Sequence, residues 1–443
     1  MTVAKGTVIF SSTKMAPVGS SLCSPTTYFL LSPSMQRVSR KMNGNRHGIK
    51  FRVSNVMAES AAGTTERTSF GFKNLTETFW VDVHRAQGRQ LNLSLNSPLS
   101  LGSTSFEKMD NVAIRVELSN GCVGWGEVPV LPLVAGNQAN ALEKVRETCQ
   151  FLNQSQPMTL NFILDAIGAI LPGGEFASVR AGVEMALIDA VANSIDVPLW
   201  RLFGGVSNSL STAITIPDVS PDEASELASK YCKLGFNTLK LKVGRNINAD
   251  IEVLRAIQDV HPRCSFILDA NEEYTSDEAI DVLRKLNDMG VTPLLFEQPV
   301  HRDDWEGLRD VSIVARDIYG ISVVADESCR SLNDVQKVMK ENLASVINIK
   351  LSKFGILGTL EIVEIARKSG LNLMIDGLVE TRIATGFAGH LAAGLGCFKY
   401  VNLNTPFLLA EDPVVGGYEV SGSNYKFTNA RGQGGFLKWH VVS

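Results

Sequence analysis

Seven residues recur at a regular interval along the second half of the 443-residue chain: Lys242, Asp269, Glu297, Asp326, Lys350, Asp376 and Asn402, separated by 24 to 29 residues. Each stands at the end of a short apolar run. Asp269, Glu297 and Asp326 would offer three hard oxygen donors from successive runs, the donor type that Mg²⁺ takes while keeping positions for water or substrate. A lysine near such a centre can take or return a proton if its pKa is brought down from about 10.4. Taken singly, an acidic residue at the end of an apolar run is more often a helix cap or a solvated turn. Taken with Lys242 and Lys350, the set cannot crowd into one place without mutual compensation.

The interval matches one strand plus one helix with their turns. The spacing predicts strands at 213–216, 238–243, 265–268, 293–296, 322–325, 346–349, 371–375 and 399–403. Amphipathic helices are expected at 224–234, 249–260, 276–289, 305–316, 332–341 and 357–368. Such alternation implies parallel strands with crossover helices, and eight strands imply closure into an α/β architecture, a (β/α) barrel over residues 204–405. All strand ends then share one face, where residues distant in sequence converge. In Leu239-Lys240-Leu241-Lys242-Val243 the apolar residues alternate with lysines, so period two sends both ammonium groups to the barrel interior. Burying two cations there requires carboxylates or a metal beside them.

Residues 69–203 read as an α+β capping domain. Strands are expected at 79–86 and 112–118, then a turn at Ser119-Asn120-Gly121 and a return strand through Gly124-Trp125-Gly126-Glu127. Helices follow at 141–152 and 178–194. Residues 406–443 are expected to return to this cap.

The composition is 44% hydrophobic and 20% charged with a formal net charge of -4. No clustered basic charge calls for nucleic acid or an anionic membrane, and no apolar run approaches the ~18 residues that span a bilayer. Seven scattered cysteines and six scattered histidines show neither Cys-x-x-Cys nor metal-ligand spacing. The first 58 residues contain no Asp or Glu, recurrent Lys and Arg, and abundant Ser and Thr. That is the composition of an organelle transit peptide, here of the plastid type. Import into a mitochondrion, or a disordered tail in the cytosol, is the alternative.

The segments Lys240-Leu241-Lys242, Leu268-Asp269-Ala270-Asn271, Phe296-Glu297-Gln298-Pro299, Ala325-Asp326-Glu327-Ser328 and Asn348 to Lys353 resemble the enolase superfamily, and within it the muconate lactonizing enzyme subgroup. The resemblance spans the chain beyond its first segment. It implies that Asp269, Glu297 and Asp326 bind Mg²⁺, that Lys242 and Lys350 stand on opposite faces of a substrate α-carbon, and that Lys240 lies near the substrate carboxylate. The mandelate racemase branch has a histidine on the seventh strand. Leu373-Met374-Ile375-Asp376-Gly377 has none, which points to the two-lysine branch. One lysine would remove the proton next to the carboxylate and the other return it on the opposite face, giving epimerisation through an enediolate. Crowded cations are expected to depress the lysine pKa. Homo-oligomers occur in the family, so a second copy of the chain is a candidate partner beside a small-molecule carboxylate.

Within the branch, Met374 to Gly386 looks most like dipeptide epimerases of the L-Ala-D/L-Glu type. Those hold the substrate ammonium with an Asp-x-Asp on the eighth strand; here the frame reads Asn402-Leu403-Asn404, two amides. Asp376 is the candidate to supply the missing charge, and Thr215 and Leu378 are further candidate contacts. An uncharged capping loop at 97–105 hints at a small or apolar substrate side chain. Two other readings remain at this level. One is an N-acylamino acid racemase, an o-succinylbenzoate synthase or a cycloisomerase, which neutral Asn402 and Asn404 would suit. The other is a catalytically silent metal-binding protein, disfavoured by the intact lysines and carboxylates.

Overall fold

The computed structural model describes residues 70–101, 104–131, 135–440 and 442. The segment assigned to transit lies outside the described residues, as do positions 102 and 103 of the expected capping loop. Eight strands (Ile214–Ile216, Thr238–Lys242, Ser265–Asp269, Leu295–Glu297, Ser322–Ala325, Val346–Ile349, Asn372–Asp376 and Phe398–Asn402) pair in chain order, all parallel. The Ala213 N–H donates to the Val401 carbonyl at 2.8 Å, which links the two ends of the sheet and nearly closes it into a barrel. Local signals start the crossover helices. Ser220 and Thr275 form capping boxes with Glu223 and Glu278, and Asp304 and Ser331 accept from the first turns of their helices.

Period two then sorts the barrel residues. Leu239, Leu241, Leu268, Phe296, Val323, Ile347, Ile349, Leu373 and Ile375 face outward into the core shared with the helices. The alternate residues Ala213, Ile267, Leu295, Val324, Val346, Met374 and Tyr400 form a separate buried cluster inside the barrel. Two residues further along the same strand faces stand Thr215, Asp269, Glu297, Asp326, Asn348, Asp376 and Asn402. An apolar plug thus floors a polar layer, and the strands cannot slip by one residue without exchanging the two.

Four features depart from the sequence reading. A seventh crossover helix, Arg382–Leu395, was not expected; residues 383–395 are all buried, so it carries no polar stripe to reveal its period. The 3₁₀ turn Thr405–Leu408, where the sequence placed the end of the barrel, was not expected as an element and leads into the C-terminal segment. The cap carries two further helices, Phe70–Thr78 and Leu160–Ile170. The expected capping loop is the end of one long hairpin, Val83–Leu101 with Thr104–Leu118, whose register shifts between Ser94 and Leu99. Leu95 bridges Leu409, and Asn96 Nδ2 donates to the Phe407 and Leu409 carbonyls, both at 3.0 Å, seating the hairpin beside the barrel mouth. The segment after the mouth divides. Asn424–Lys426 pairs with Ser209–Ser211, while Trp439 meets cap residue Trp125 edge-on and its carbonyl accepts from Arg89.

Close backbone packing inside the cap aims buried carboxylates at the barrel and the C-terminal segment. Strand Val123–Val128 lies so close to helix Ala177–Ser194 that a Cβ at Gly126 would sit 1.9 Å from the Gly182 carbonyl oxygen. From that strand Glu127 accepts from the Thr381 N–H at 3.0 Å and from the Thr381 hydroxyl at 2.5 Å, holding the start of helix Arg382–Leu395. From the helix, Glu184 accepts from the Ile356 N–H at 2.5 Å, where Gly355 with φ +75° breaks helix Leu351–Ser369. Asp189 accepts from the Trp125 and Gln433 N–H groups at 3.0 and 2.8 Å. A carboxylate at a helix start meets both the unpaired N–H groups and the positive end of the helix dipole.

Burial pushes the Glu184 and Asp189 carboxyl groups up to about 7. The unfolded chain gives up these protons at about pH 4, so the stability they contribute is complete below that and is lost as pH rises through about 7. The thermal midpoint is expected to fall between about pH 4 and 7, and Glu184→Gln with Asp189→Asn to flatten that descent. An unchanged slope in the double variant would show that these groups do not set it.

Candidate active site

The candidate residues converge at the carboxyl ends of the strands. Strand order fixes their angular positions. The second and sixth strands, which end in Lys242 and precede Lys350, are four apart in an eight-stranded barrel and so face each other across the mouth. The arc between them, through the third, fourth and fifth strands, carries Asp269, Glu297 and Asp326. The other arc, through the seventh, eighth and first strands, carries Asp376, Asn402, Asn404 and Thr215.

At the base of this layer Lys240, 3% exposed, is the common counter-ion. Its Nζ lies 2.9 Å from Asp269 Oδ2, 2.9 Å from Glu297 Oε2 and 3.0 Å from Asp376 Oδ2. Lys242 donates to Asp269 Oδ2 at 2.7 Å and to Asn271 Oδ1 at 2.6 Å. Lys350 pairs with Asp326 Oδ2, and Lys353 donates to Asp326 Oδ1 at 2.6 Å. Asn348 Nδ2 donates to Glu297 Oε1 at 2.8 Å and to Asp376 Oδ2 at 3.2 Å. Asp376 also accepts from the Gly377 N–H at 2.8 Å and from Asn402 Nδ2 at 3.0 Å. Its two oxygens thus meet Lys240, Asn348, Asn402 and the Gly377 N–H. Leu378 lies higher, half-buried against a cluster that includes Leu91, Leu93 and Met109 of the cap hairpin.

The lowering of the lysine pKa values expected from the sequence counted a metal ion among the crowded cations; the protein's own groups act on the lysines in both directions. Burial does pull Lys240 and Lys350 down, but their carboxylate neighbours outweigh it, and both stand above the ordinary lysine value. The carboxylates diverge. Burial opposes ionisation of Asp269, but Lys240 and Lys242 bring it down to about 2. Asp326 is likewise held well below the usual range by Lys350 and Lys353 against burial. Glu297 goes the other way: burial and the neighbouring Asp269 push it up to about 8. Among the described residues no three acidic, histidine or cysteine side chains are gathered as a ready metal cluster. The donor set nonetheless fits a hard divalent cation. Three buried carboxylates come from adjacent strands, and Glu297 Oε2 has an ion-paired neighbour but no aligned hydrogen-bond donor. Positive charge added at these oxygens would free the ammonium groups that now cover them.

Several contributors escaped the sequence reading. Gln298, at φ +37°, accepts through Oε1 from the Asp326 and Ser328 N–H groups at 2.9 and 3.1 Å and so sets the height of Asp326. Its position inside Phe-Glu-Gln-Pro was the available signal. Lys353, one helical turn after Lys350, was quoted in a motif without a role. Glu380 is buried beside Gly377, pushed up to about 8 by burial and by Glu127 of the cap. Nothing in the local pattern announces Glu380, since its partner comes from the other domain.

Comparison with known proteins gives these positions a family. Residues 86–204 match the mandelate racemase / muconate lactonizing enzyme N-terminal domain, and residues 223–440 match the enolase C-terminal domain-like family. An L-Ala-D/L-amino acid epimerase of Populus trichocarpa is 62% identical over 386 residues, 87% of this chain and 92% of its own. An aromatic dipeptide epimerase of Herpetosiphon aurantiacus is 34% identical, covering 80% of this chain and 98% of its own. The substrate-liganded L-Ala-D/L-Glu epimerase from Bacillus subtilis superposes with a TM-score of 0.75 at 31% identity, over 80% of this chain and 99% of its own. The Enterococcus faecalis dipeptide epimerase complexed with Mg and L-Leu-L-Tyr gives 0.73 at 30% identity, over 80% and 99%. The chain is an enzyme of the enolase superfamily and belongs to its mandelate racemase / muconate lactonizing enzyme group.

Proposed function

We propose that this enzyme is a Mg²⁺-dependent dipeptide epimerase that inverts the carbon next to a substrate carboxylate, with Lys242 and Lys350 as the two proton carriers. The observation that carries the proposal is angular: the two lysines stand across the mouth from one another, with the carboxylates filling one arc between them and the amides the other. A substrate laid between the arcs presents opposite faces of one carbon to the two amines. Bound at Asp269, Glu297 and Asp326, Mg²⁺ would supply positive charge where the substrate carboxylate gains negative charge on losing its proton. Lys242 or Lys350, in its neutral form, takes that proton, and the opposing ammonium returns one on the other face. Lys240, shared among three carboxylates, stays cationic and fixes the floor of the site.

The side-chain subsite is assigned to apolar residues. Leu378 and Val379 pack with Leu91, Leu93, Met109 and Leu409 where the cap hairpin meets the mouth, which supports an apolar residue at the epimerised position. The relatives named for hydrophobic or aromatic dipeptides agree with that preference. Neutral Asn402 and Asn404 favour one second reading, an N-acyl amino acid substrate. Delivery to a plastid stays part of the proposal, supported by the composition of residues 1–58; import into isolated chloroplasts with loss of that segment tests it.

In D₂O with Mg²⁺, L-Ala-L-Xaa dipeptides with apolar Xaa are expected to exchange the α-proton of Xaa with inversion, followed by NMR. Lys242→Ala and Lys350→Ala should each lose inversion by ~10²–10⁴-fold. Exchange confined to N-acyl amino acids would transfer the assignment to the second reading. Millimolar Mg²⁺ should raise the thermal midpoint of the wild-type protein by mass action, and Asp326→Asn should abolish the rise. A midpoint indifferent to the cation would remove the metal from the mechanism.

A further inference from the structure

Lys242 has two partners of different kinds. Its Nζ donates to Asp269 Oδ2 at 2.7 Å and to Asn271 Oδ1 at 2.6 Å. The first is a carboxylate of the candidate metal site. The second is a neutral amide outside that donor set. The opposing lysine has no such amide: among the described residues the Lys350 ammonium hydrogen-bonds to Asp326 alone.

The Asn271 amide is directed from both ends. The Lys242 ammonium can only donate, so it must meet the amide oxygen. On the other side Asn271 Nδ2 donates to Glu327 Oε1 at 3.0 Å. That is the one side-chain hydrogen bond of Glu327 among the described residues, and Glu327 Oε2 is sealed from solvent without a donor. Enclosing a carboxyl group for a single contact costs stability, so the contact is more than a by-product of packing. The backbone beneath the amide is held as well. Asn271 and Glu272 stand in the left-handed region, at φ +42° and +74°. Such residues persist only where their surroundings over-determine them. Here the Asn271 N–H donates to Asp269 Oδ1 at 3.2 Å, the Glu272 N–H to the Gln298 carbonyl at 2.9 Å, and Arg302 Nε to Glu272 Oε1 at 2.8 Å. The loop after the third strand is thus fastened to the loop after the fourth, and its amide to the loop after the fifth.

We infer that Glu327 and Asn271 aim Lys242, and so position one proton carrier and not the other. Both are positioning residues: Asn271 acts through Lys242, and Glu327 through Asn271. An amide oxygen accepts an N–H from the charged and the neutral amine alike, so it keeps the nitrogen in place whether or not the transferred proton is on it. This inference rests on the epimerase reading above and deepens it by making the two faces of the site unequal.

Inversion passes through both lysines and cannot tell them apart, but exchange of the α-proton with retention uses the lysine on one face only. The test follows that exchange by NMR in D₂O with Mg²⁺, starting separately from an L-Ala-L-Xaa dipeptide and from its L-Ala-D-Xaa epimer. Lys242→Ala and Lys350→Ala calibrate it, since each should leave exchange in one epimer. In Glu327→Met, exchange from the Lys242 face should fall about tenfold or more while exchange from the Lys350 face moves less than about twofold. Glu327→Gln keeps an oxygen that can accept from Asn271 and should restore the Lys242 face. Asn271→Gly tolerates the left-handed backbone, removes the amide and should give the same one-sided loss; it carries the test if Glu327→Met fails to fold. The Mg²⁺-induced rise in the thermal midpoint should persist in Glu327→Met and Asn271→Gly, showing the carboxylate arc intact. Equal losses on the two faces, no loss on either, no recovery in Glu327→Gln, or a vanished Mg²⁺ response in these variants would overturn the inference and leave the epimerase reading standing. A wild-type enzyme that exchanges neither epimer would overturn both.

Discussion

The site depends on one constraint: an ammonium group sealed in a barrel must be surrounded by carboxylates, and carboxylates so gathered must be held apart by ammonium groups. Lys240 is the clearest instance, with Asp269, Glu297 and Asp376 all within about 3 Å of one nitrogen. Remove Lys240 and the three carboxylates lose their shared counter-charge in a dry interior, which is far more costly than the pairing is stabilising. The same balance spreads outward through Lys242, Lys350 and Lys353 to Asp269 and Asp326. Its residual imbalance shows at Glu297, the one member of the carboxylate arc that burial pushes up rather than its lysines down.

Most of this was written in a simple pattern. Parallel strands recur at a near-constant interval, and period two within each strand decides what enters the barrel. From Leu239-Lys240-Leu241-Lys242-Val243 both lysines could be sent inward, and they are inward. The strand-end carboxylates could be collected at one mouth because every strand is parallel. What escaped lacks such a period. Helix Arg382–Leu395 is buried on all sides, so its sequence has no face to read. Glu380 and Glu127 acquire meaning only from each other's neighbourhood, 253 positions apart in the chain. Asp376 was legible as an extra carboxylate, but its partners Lys240, Asn348 and Asn402 come from other strands that the linear pattern does not pair with it. The raised lysines have a related origin: lysines could be counted along the chain, but which carboxylates each would meet could not.

The cap covers the mouth and also anchors it. Glu184 holds the turn after Lys350 and Lys353, and Glu127 with Asn111 holds residues 379–384, the stretch that follows Leu378. Both are side chains of one domain filling helix starts of the other, and the glycine contact at Gly126 and Gly182 leaves no slack between the elements that bear them. The lining of the mouth on the sixth and seventh strands is thus registered to the cap as firmly as to the barrel.

That registration bears on how such a molecule can be divided and recombined. A barrel excised on its own would expose two helix starts shaped for carboxylates it does not carry, together with the apolar surface that Leu378 and Val379 share with the hairpin. Cap and barrel therefore complete one another, and a cap exchanged for another would have to bring carboxylates to the Ile356 and Thr381 N–H groups of the barrel that receives it.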